Sequence, residues 1–233
     1  MSSLAPGWID HLPSNRLIGE FSVWSADLIR LADDLVRIGS YADILHIDVA
    51  DGHFAPAMLF FPDLVAAVRK ASRLPIHVHL MVADDVLLSQ IEQFADAGSD
   101  LISIHLENDA VADTALDRLN ARGVAVGMVL KVETPVAGVA RYLPRLRFLT
   151  LLGTAIGVKG QGLNANAGDR LRQAKRLIGE SRAAKRIVLA ADGGIREQTV
   201  PVLRGAGADT VVLGSLAFGA PDLAARMAWL HAL

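Results

Sequence analysis

Short apolar runs alternate with longer amphipathic segments along almost the whole chain. Eight runs read as strands, at 17–23, 42–48, 75–81, 101–105, 124–130, 146–152, 186–191 and 210–213. They are apolar throughout or nearly so, as expected of parallel strands covered on both faces. Helical periodicity follows each of them, at 26–38, 62–71, 86–97, 110–121, 136–142, 167–179, 197–205 and 221–231. Eight strand–helix units with short connections and no break in composition predict a closed (β/α)8 TIM barrel, in preference to an open doubly wound sheet. Residues 1–16, with Pro6, Gly7 and Pro13, read as an irregular lead-in, and 17–233 as one barrel domain.

A local unit recurs three times, at 39–46, 98–105 and 207–214. In each, a glycine (Gly39, Gly98, Gly207) near a helix end leads through an aspartate (Asp43, Asp100, Asp209) into a buried strand. The glycine suits a left-handed helix cap and the aspartate suits the turn before the strand.

A length of 233 residues, 52% of them hydrophobic, fits one barrel with an ample core. The net charge of -2 carries no strongly one-signed block, so no nucleic-acid partner is expected. The chain has no cysteine, which excludes disulfides, thiolate ligands and cysteine nucleophiles. Its first residues lack a basic flank and apolar stretch, so no signal peptide is read. No apolar tract reaches the roughly 18 residues of a membrane span. The expectation is a cytoplasmic protein with no membrane partner.

The informative polar residues stand at predicted strand exits, which in a barrel converge on one mouth. His46 and Asp48 are two apart and share a strand face. His79 ends the third predicted strand, His105 and Glu107 the fourth, and Asp192 follows the seventh. Any one histidine could be a polar plug at a barrel end. The set His46, Asp48, His79 and Asp192 instead suits one divalent ion such as Zn²⁺, Mn²⁺, Fe²⁺ or Co²⁺. His77 and His53 read equally well as supporting or as ordinary structural residues. Lys131 is read as a rim residue and not as a Schiff-base lysine.

Glycine-rich segments follow three adjacent strands: Gly153 to Gly162, Asp192-Gly193-Gly194, and Gly214-Ser215. Small residues let backbone N–H groups approach an anion, and barrels often hold phosphate at these exits. None of the segments is a P-loop.

With these residues in view, the chain resembles the ribulose-phosphate 3-epimerase family. The matching segments are Phe21-Ser22 to Asp27, Leu45-His46-Ile-Asp48-Val-Ala-Asp51-Gly52-His-Phe54, His79-Leu-Met81, His105-Leu-Glu107, Asp192-Gly193-Gly194-Ile195 and Gly214-Ser215. The resemblance implies a ribulose-phosphate-binding barrel, assembled as a homo-oligomer, that converts D-ribulose 5-phosphate to D-xylulose 5-phosphate. It implies one metal on His46, Asp48, His79 and Asp192, with Asp48 and Asp192 as the proton-transfer pair. By the same resemblance Ser22, His79 and Met81 contact the substrate. The backbone near Gly157, Gly160, Gly193, Gly194, Gly214 and Ser215 would hold its phosphate.

Departures from the family pattern bear on substrate more than on reaction. Ala50 stands for a methionine, Ala57 for an asparagine, and His77 for an aspartate two residues before the metal histidine. The loop after the sixth predicted strand reads Ala155-Ile156-Gly157-Val158-Lys159-Gly160-Gln161, with Lys159 in place of a glycine. Lys159 either faces solvent or reaches the substrate phosphate. A different tetrulose, pentulose or hexulose phosphate, and a phosphosugar-binding barrel without turnover, remain as alternative readings.

Overall fold

The computed structural model describes residues 4, 5 and 7–233. Its strands are β1 (Ile18–Ser22), β2 (Ile44–Asp51), β3 (Met58–Leu59), β4 (Ile76–Met81), β5 (Leu101–His105), β6 (Ala125–Leu130), β7 (Phe148–Leu152), β8 (Val188–Asp192) and β9 (Thr210–Leu213). The helices are α1 (Leu31–Ile38), α2 (Pro62–Ala71), α3 (Asp84–Asp96), α4 (Ala112–Ala121), α5 (Ala167–Glu180), α6 (Val200–Gly205), α7 (Ser215–Phe218) and α8 (Leu223–His231). β1 pairs in parallel with both β2 and β9, which closes eight strands into a barrel. The ninth strand, β3, is a two-residue antiparallel addition on the end of β2.

The closed (β/α)8 barrel is thus the observed fold. β2 runs on past the predicted end at 48 because Ala50 and Asp51 pair with Leu59 and Met58. Asp192 is the last residue of its strand and not the first beyond it. The predicted helix at 136–142 is corrected to two single turns of 3-10 helix, Val136–Val139 and Leu143–Arg145. Pro144 supplies no N–H to carry a helix onward, and Gly138 packs tightly on Leu106. The predicted helix from 26 starts only at Leu31. Asp27 accepts the N–H of Ile29 and donates its own N–H to Asp34, which fixes a turn there.

One end of the barrel is filled from the lead-in. The 3-10 turn Trp8–His11 places Ile9 among Ile18, Ile44, Leu101, Phe148 and Val188. The three repeated units sit at this end and share one function. Asp43, Asp100 and Asp209 accept the backbone N–H of Gly19, Ile76 and Leu189 at 2.9–3.0 Å. Each aspartate returns its own N–H to the carbonyl of that same residue, at 2.8–3.1 Å. Arg16, Arg69 and Lys175 neutralise the three carboxylates. Gly98 and Gly207 take the left-handed conformation expected of a cap, at φ 99° and 105°. Gly39 does not; its φ of -57° is that of an ordinary helical residue.

Candidate metal centre and substrate cavity

The opposite end of the barrel is polar and carries a cavity of about 400 Å³. Strand pairing dictates its floor. Ser22 pairs with His46, His46 with His77, and Asp48 with His79, so β1, β2 and β4 bring these side chains together. Asp192 reaches the same point from β8. The His46 Nε2 lies 3.2 Å from Asp48 Oδ1 and 4.0 Å from Asp192 Oδ2. The His79 Nδ1 stands 3.2 Å from Asp48 Oδ1 and 3.9 Å from Asp192 Oδ2. The four sequence-predicted ligands therefore form one cluster, their donor atoms all within 4.8 Å of one another. Two imidazole nitrogens and two carboxylates at this spacing match the donor chemistry of Zn²⁺ and its first-row neighbours.

Hydrogen bonds behind each imidazole fix which nitrogen it presents. His46 Nδ1 lies 3.1 Å from Glu20 Oε2, a carboxylate able only to accept, so the Nδ1 proton stays there and Nε2 faces the cluster. His79 is arranged the other way round. Its Nε2 lies 2.8 Å from His105 Nε2, and His105 Nδ1 lies 2.9 Å from Glu107 Oε2. An N–H chain from His79 through His105 to Glu107 leaves His79 Nδ1 free for a metal. Burial, opposed by Glu107, lowers His105 to about 4, so the ring is neutral and can accept from His79.

The two aspartates are driven apart in proton affinity. Burial alone would raise Asp48, but the charges of His46 and His79 and their hydrogen bonds hold it well below the ordinary carboxylate range. Burial, opposed by His46 and reinforced by the negative Asp48, lifts Asp192 to about 6. For His46 itself, the charge of Asp48 and bonds to Asp48 and Glu20 overcome burial and push the ring well above its ordinary value. Carboxylates separated in this way are suited to unlike roles in proton transfer.

Other sequence-predicted residues fall into place around this cluster. Ser22 Oγ donates to Asp48 Oδ2 at 2.9 Å. Met81 is buried with Ala50 and Ala55, and Ile156 of the altered loop packs against them. Gly157, Lys159, Gly160, Gly193, Gly194, Gly214 and Ser215 all line the cavity. Gly194 has φ 70°, and a Cβ there would stand 2.7 Å from the Leu163 backbone, so the loop closes only with glycine. Lys159 Nζ donates to the Trp24 carbonyl at 2.6 Å and lies 4.5 Å over the Trp24 ring. It thus bridges the β7 loop to the exit of β1.

His53 is exposed, and its backbone N–H serves the Asp51 turn. Lys131 Nζ sits 3.7 Å over the Phe54 ring, and the residue does not line the cavity. His77 lies beneath the cluster on Glu20 and Ser103. Sequence reasoning missed Glu20, although a glutamate inside the apolar run 17–23 was the available signal. It also missed Arg196, which lines the cavity, and Thr199, whose Oγ1 donates to the Gly194 carbonyl at 2.8 Å and accepts from Arg196 N–H.

Fold, donor set and cavity define a (β/α)8 barrel with a candidate divalent-metal centre at its strand exits. Residues 19–218 match the model of the ribulose-phosphate 3 epimerase family. Among curated proteins, the chain is 35% identical to ribulose-phosphate 3-epimerase 2 of Cupriavidus necator, over 86% of this chain and 84% of that one. It is 34% identical to ribulose-phosphate 3-epimerase of Bacillus subtilis, over 86% and 92%. The chain belongs to the ribulose-phosphate 3-epimerase family. A crystal structure of 3-hexulose-6-phosphate synthase shares the fold at 19% identity and a TM-score of 0.66, covering 93% of this chain and 99% of that one. Among the described residues, no helix is long and apolar enough to cross a membrane.

Proposed function

We propose that the enzyme inverts C3 of a ketose phosphate, with D-ribulose 5-phosphate and D-xylulose 5-phosphate as its epimer pair. The observation that carries this reading is the pair Asp48 and Asp192, brought by separate strands to one buried cluster with opposed proton affinities. A divalent ion on His46, Asp48, His79 and Asp192 would polarise the substrate oxygens at C2 and C3. One aspartate takes the C3 proton, the C–H electron pair becomes the C2–C3 double bond, and the C2 carbonyl π pair moves onto its oxygen to give an enediolate. The carbonyl re-forms when C3 is reprotonated. The other aspartate delivers a proton to the opposite face. A single carboxylate returning its proton to the face it came from would not invert the centre. Ser22, bonded to Asp48, is placed to orient that carboxylate and a substrate hydroxyl. Met81 and Ile156 give the reacting carbons an apolar wall that excludes water. The backbone of Gly157, Gly160, Gly193, Gly194, Gly214 and Ser215 holds the phosphate.

Conversion in D₂O tests this reading. The product is expected to carry deuterium at C3, read by NMR and mass spectrometry, with the carbon count unchanged. Product that keeps its original C3 hydrogen would exclude two-carboxylate transfer. Carbon loss or an aldose product would indicate a decarboxylase or an aldose–ketose isomerase instead. The same assay over ketose phosphates of four to six carbons identifies the substrate.

Lys159 is assigned to phosphate binding within this reading, released from the Trp24 carbonyl when the dianion arrives. Lys159→Ala is expected to weaken ketose-phosphate binding by about 1–3 kcal/mol, the range of a hydrogen bond to a charged group. Inorganic phosphate should weaken in parallel with metal content unchanged. Calorimetric titration checks both, and unchanged affinities would leave the glycine backbone as the whole phosphate site.

A further inference from the structure

The strongest unexplained feature outside the cavity is a charged residue in the centre of the barrel. Glu20, His46, His77 and Ser103 are all fully buried. Glu20 Oε2 lies 2.6 Å from His77 Nδ1 and 3.1 Å from His46 Nδ1, so one carboxylate oxygen serves two imidazoles. Thr210 Oγ1 approaches the other oxygen, Oε1, at 3.3 Å. His77 Nε2 in turn lies 2.7 Å from Ser103 Oγ, whose hydroxyl donates to it. Ser103 has its place because its partner on β6 is Gly127, where any Cβ would overlap its Oγ.

A buried carboxylate is costly, and an apolar side chain of similar volume commonly serves stability as well or better. Its presence here points to something an apolar side chain could not supply. The geometry shows what that is. An ionised Glu20 accepts from both Nδ1 atoms and donates to neither, so each ring is held as its Nδ1–H form. The His77–Ser103 arm anchors Glu20 from the side away from the metal cluster. His46 is left with one orientation, its Nε2 turned toward Asp48 at 3.2 Å and Asp192 at 4.0 Å.

We propose that Glu20 is a positioning residue of the metal centre, locking His46 to present Nε2 and held in place itself by His77 and Ser103. The proposal rests on the reading of His46, Asp48, His79 and Asp192 as one metal site. Carboxylates placed behind ligating imidazoles typically contribute 10–100-fold to metal affinity.

The test uses the full-length protein and Zn²⁺ as the probe, with affinity read by chelator competition. Glu20→Gln keeps the shape of the side chain but offers one acceptor and one donor to two N–H groups. It is expected to lose 10–100-fold in Zn²⁺ affinity. Asp100→Asn serves as the comparison, since it loosens the far end of the barrel and should lower Tm with Zn²⁺ affinity kept. A folded Glu20→Gln protein that behaves like Asp100→Asn overturns the proposal. Long-range ¹H–¹⁵N NMR of the zinc-loaded wild-type protein needs no variant. It should show His46 and His77 both protonated at Nδ1, with His46 bound to zinc through Nε2. Coordination of His46 through Nδ1 overturns the proposal whether or not the variant folds. Wild-type protein that binds no Zn²⁺ removes the metal reading beneath it, a result separate from equal binding by wild type and variant.

Discussion

Replacing Asp192 with asparagine is expected to lower epimerisation by about 10²–10⁴-fold, the usual contribution of a positioned acid or base. The amide cannot give up or return a proton at C3 and is a poorer metal ligand. The barrel should remain folded, because Asp192 ends its strand and faces the cavity. Its backbone carbonyl still accepts the Gly153 N–H at 2.6 Å. The variant also separates the two halves of the reaction. Asp48 is intact and can still remove and return a proton on its own face. One epimer should therefore exchange its C3 hydrogen with D₂O without being inverted. Turnover above about a tenth of wild type, with metal still bound, would remove Asp192 from the proton-transfer pair.

The largest effect on stability is expected at Gly127, a residue outside the cavity. A Cβ there would overlap Ser103 Oγ and stand 3.0 Å from Ser103 Cβ and 3.3 Å from its Cα. Gly127→Ala must either turn Ser103 away from His77 or force β5 and β6 apart. Overpacking of this kind costs about 1–3 kcal/mol. Leaving a buried partner without its hydrogen bond costs a similar amount. Whichever response the strands make, the expected loss of about 1–3 kcal/mol corresponds to a fall in Tm of roughly 2–12 °C for a chain of this size. Adding Ser103→Ala should recover the overpacking part, and a double-mutant cycle in urea would measure that coupling. Additive losses from the two substitutions would show that Gly127 is not reserved for Ser103.

The sequence disclosed the barrel because its strands are buried on both faces and read as nearly unbroken apolar runs. Asp48, His79 and Asp192 were legible as metal ligands because they interrupt those runs at equivalent depths. Glu20 interrupts a run as well, but its meaning depends on pairing. Its partners His46 and His77 lie 26 and 57 residues away, and only the β1–β2–β4 register joins them. The helix expected at 136–142 failed for a reason that apolar spacing does not carry, the close approach of Gly138 to Leu106 from an earlier strand–helix unit. The loop with Ile156 and Lys159 was visible as a departure from the family. That Ile156 packs against the cluster of Ala50, Ala55 and Met81 required the folded chain, because the segments lie far apart in sequence.

The clips made by Asp43, Asp100 and Asp209 bear on how such a chain can change. They join β1 to β2, β4 to β5 and β8 to β9 at the end of the barrel away from the cavity. Assembly is thereby secured where no substrate is met, and the β7 loop is free to vary without risking it. Random substitution at the three aspartates should register first as lost yield of protein. Substitution at 155–160 should register as altered preference among phosphorylated sugars in protein made at normal levels. New specificity can then be sampled on a scaffold that is already secured, with the Ala155-to-Lys159 segment at the cavity as the place to sample it.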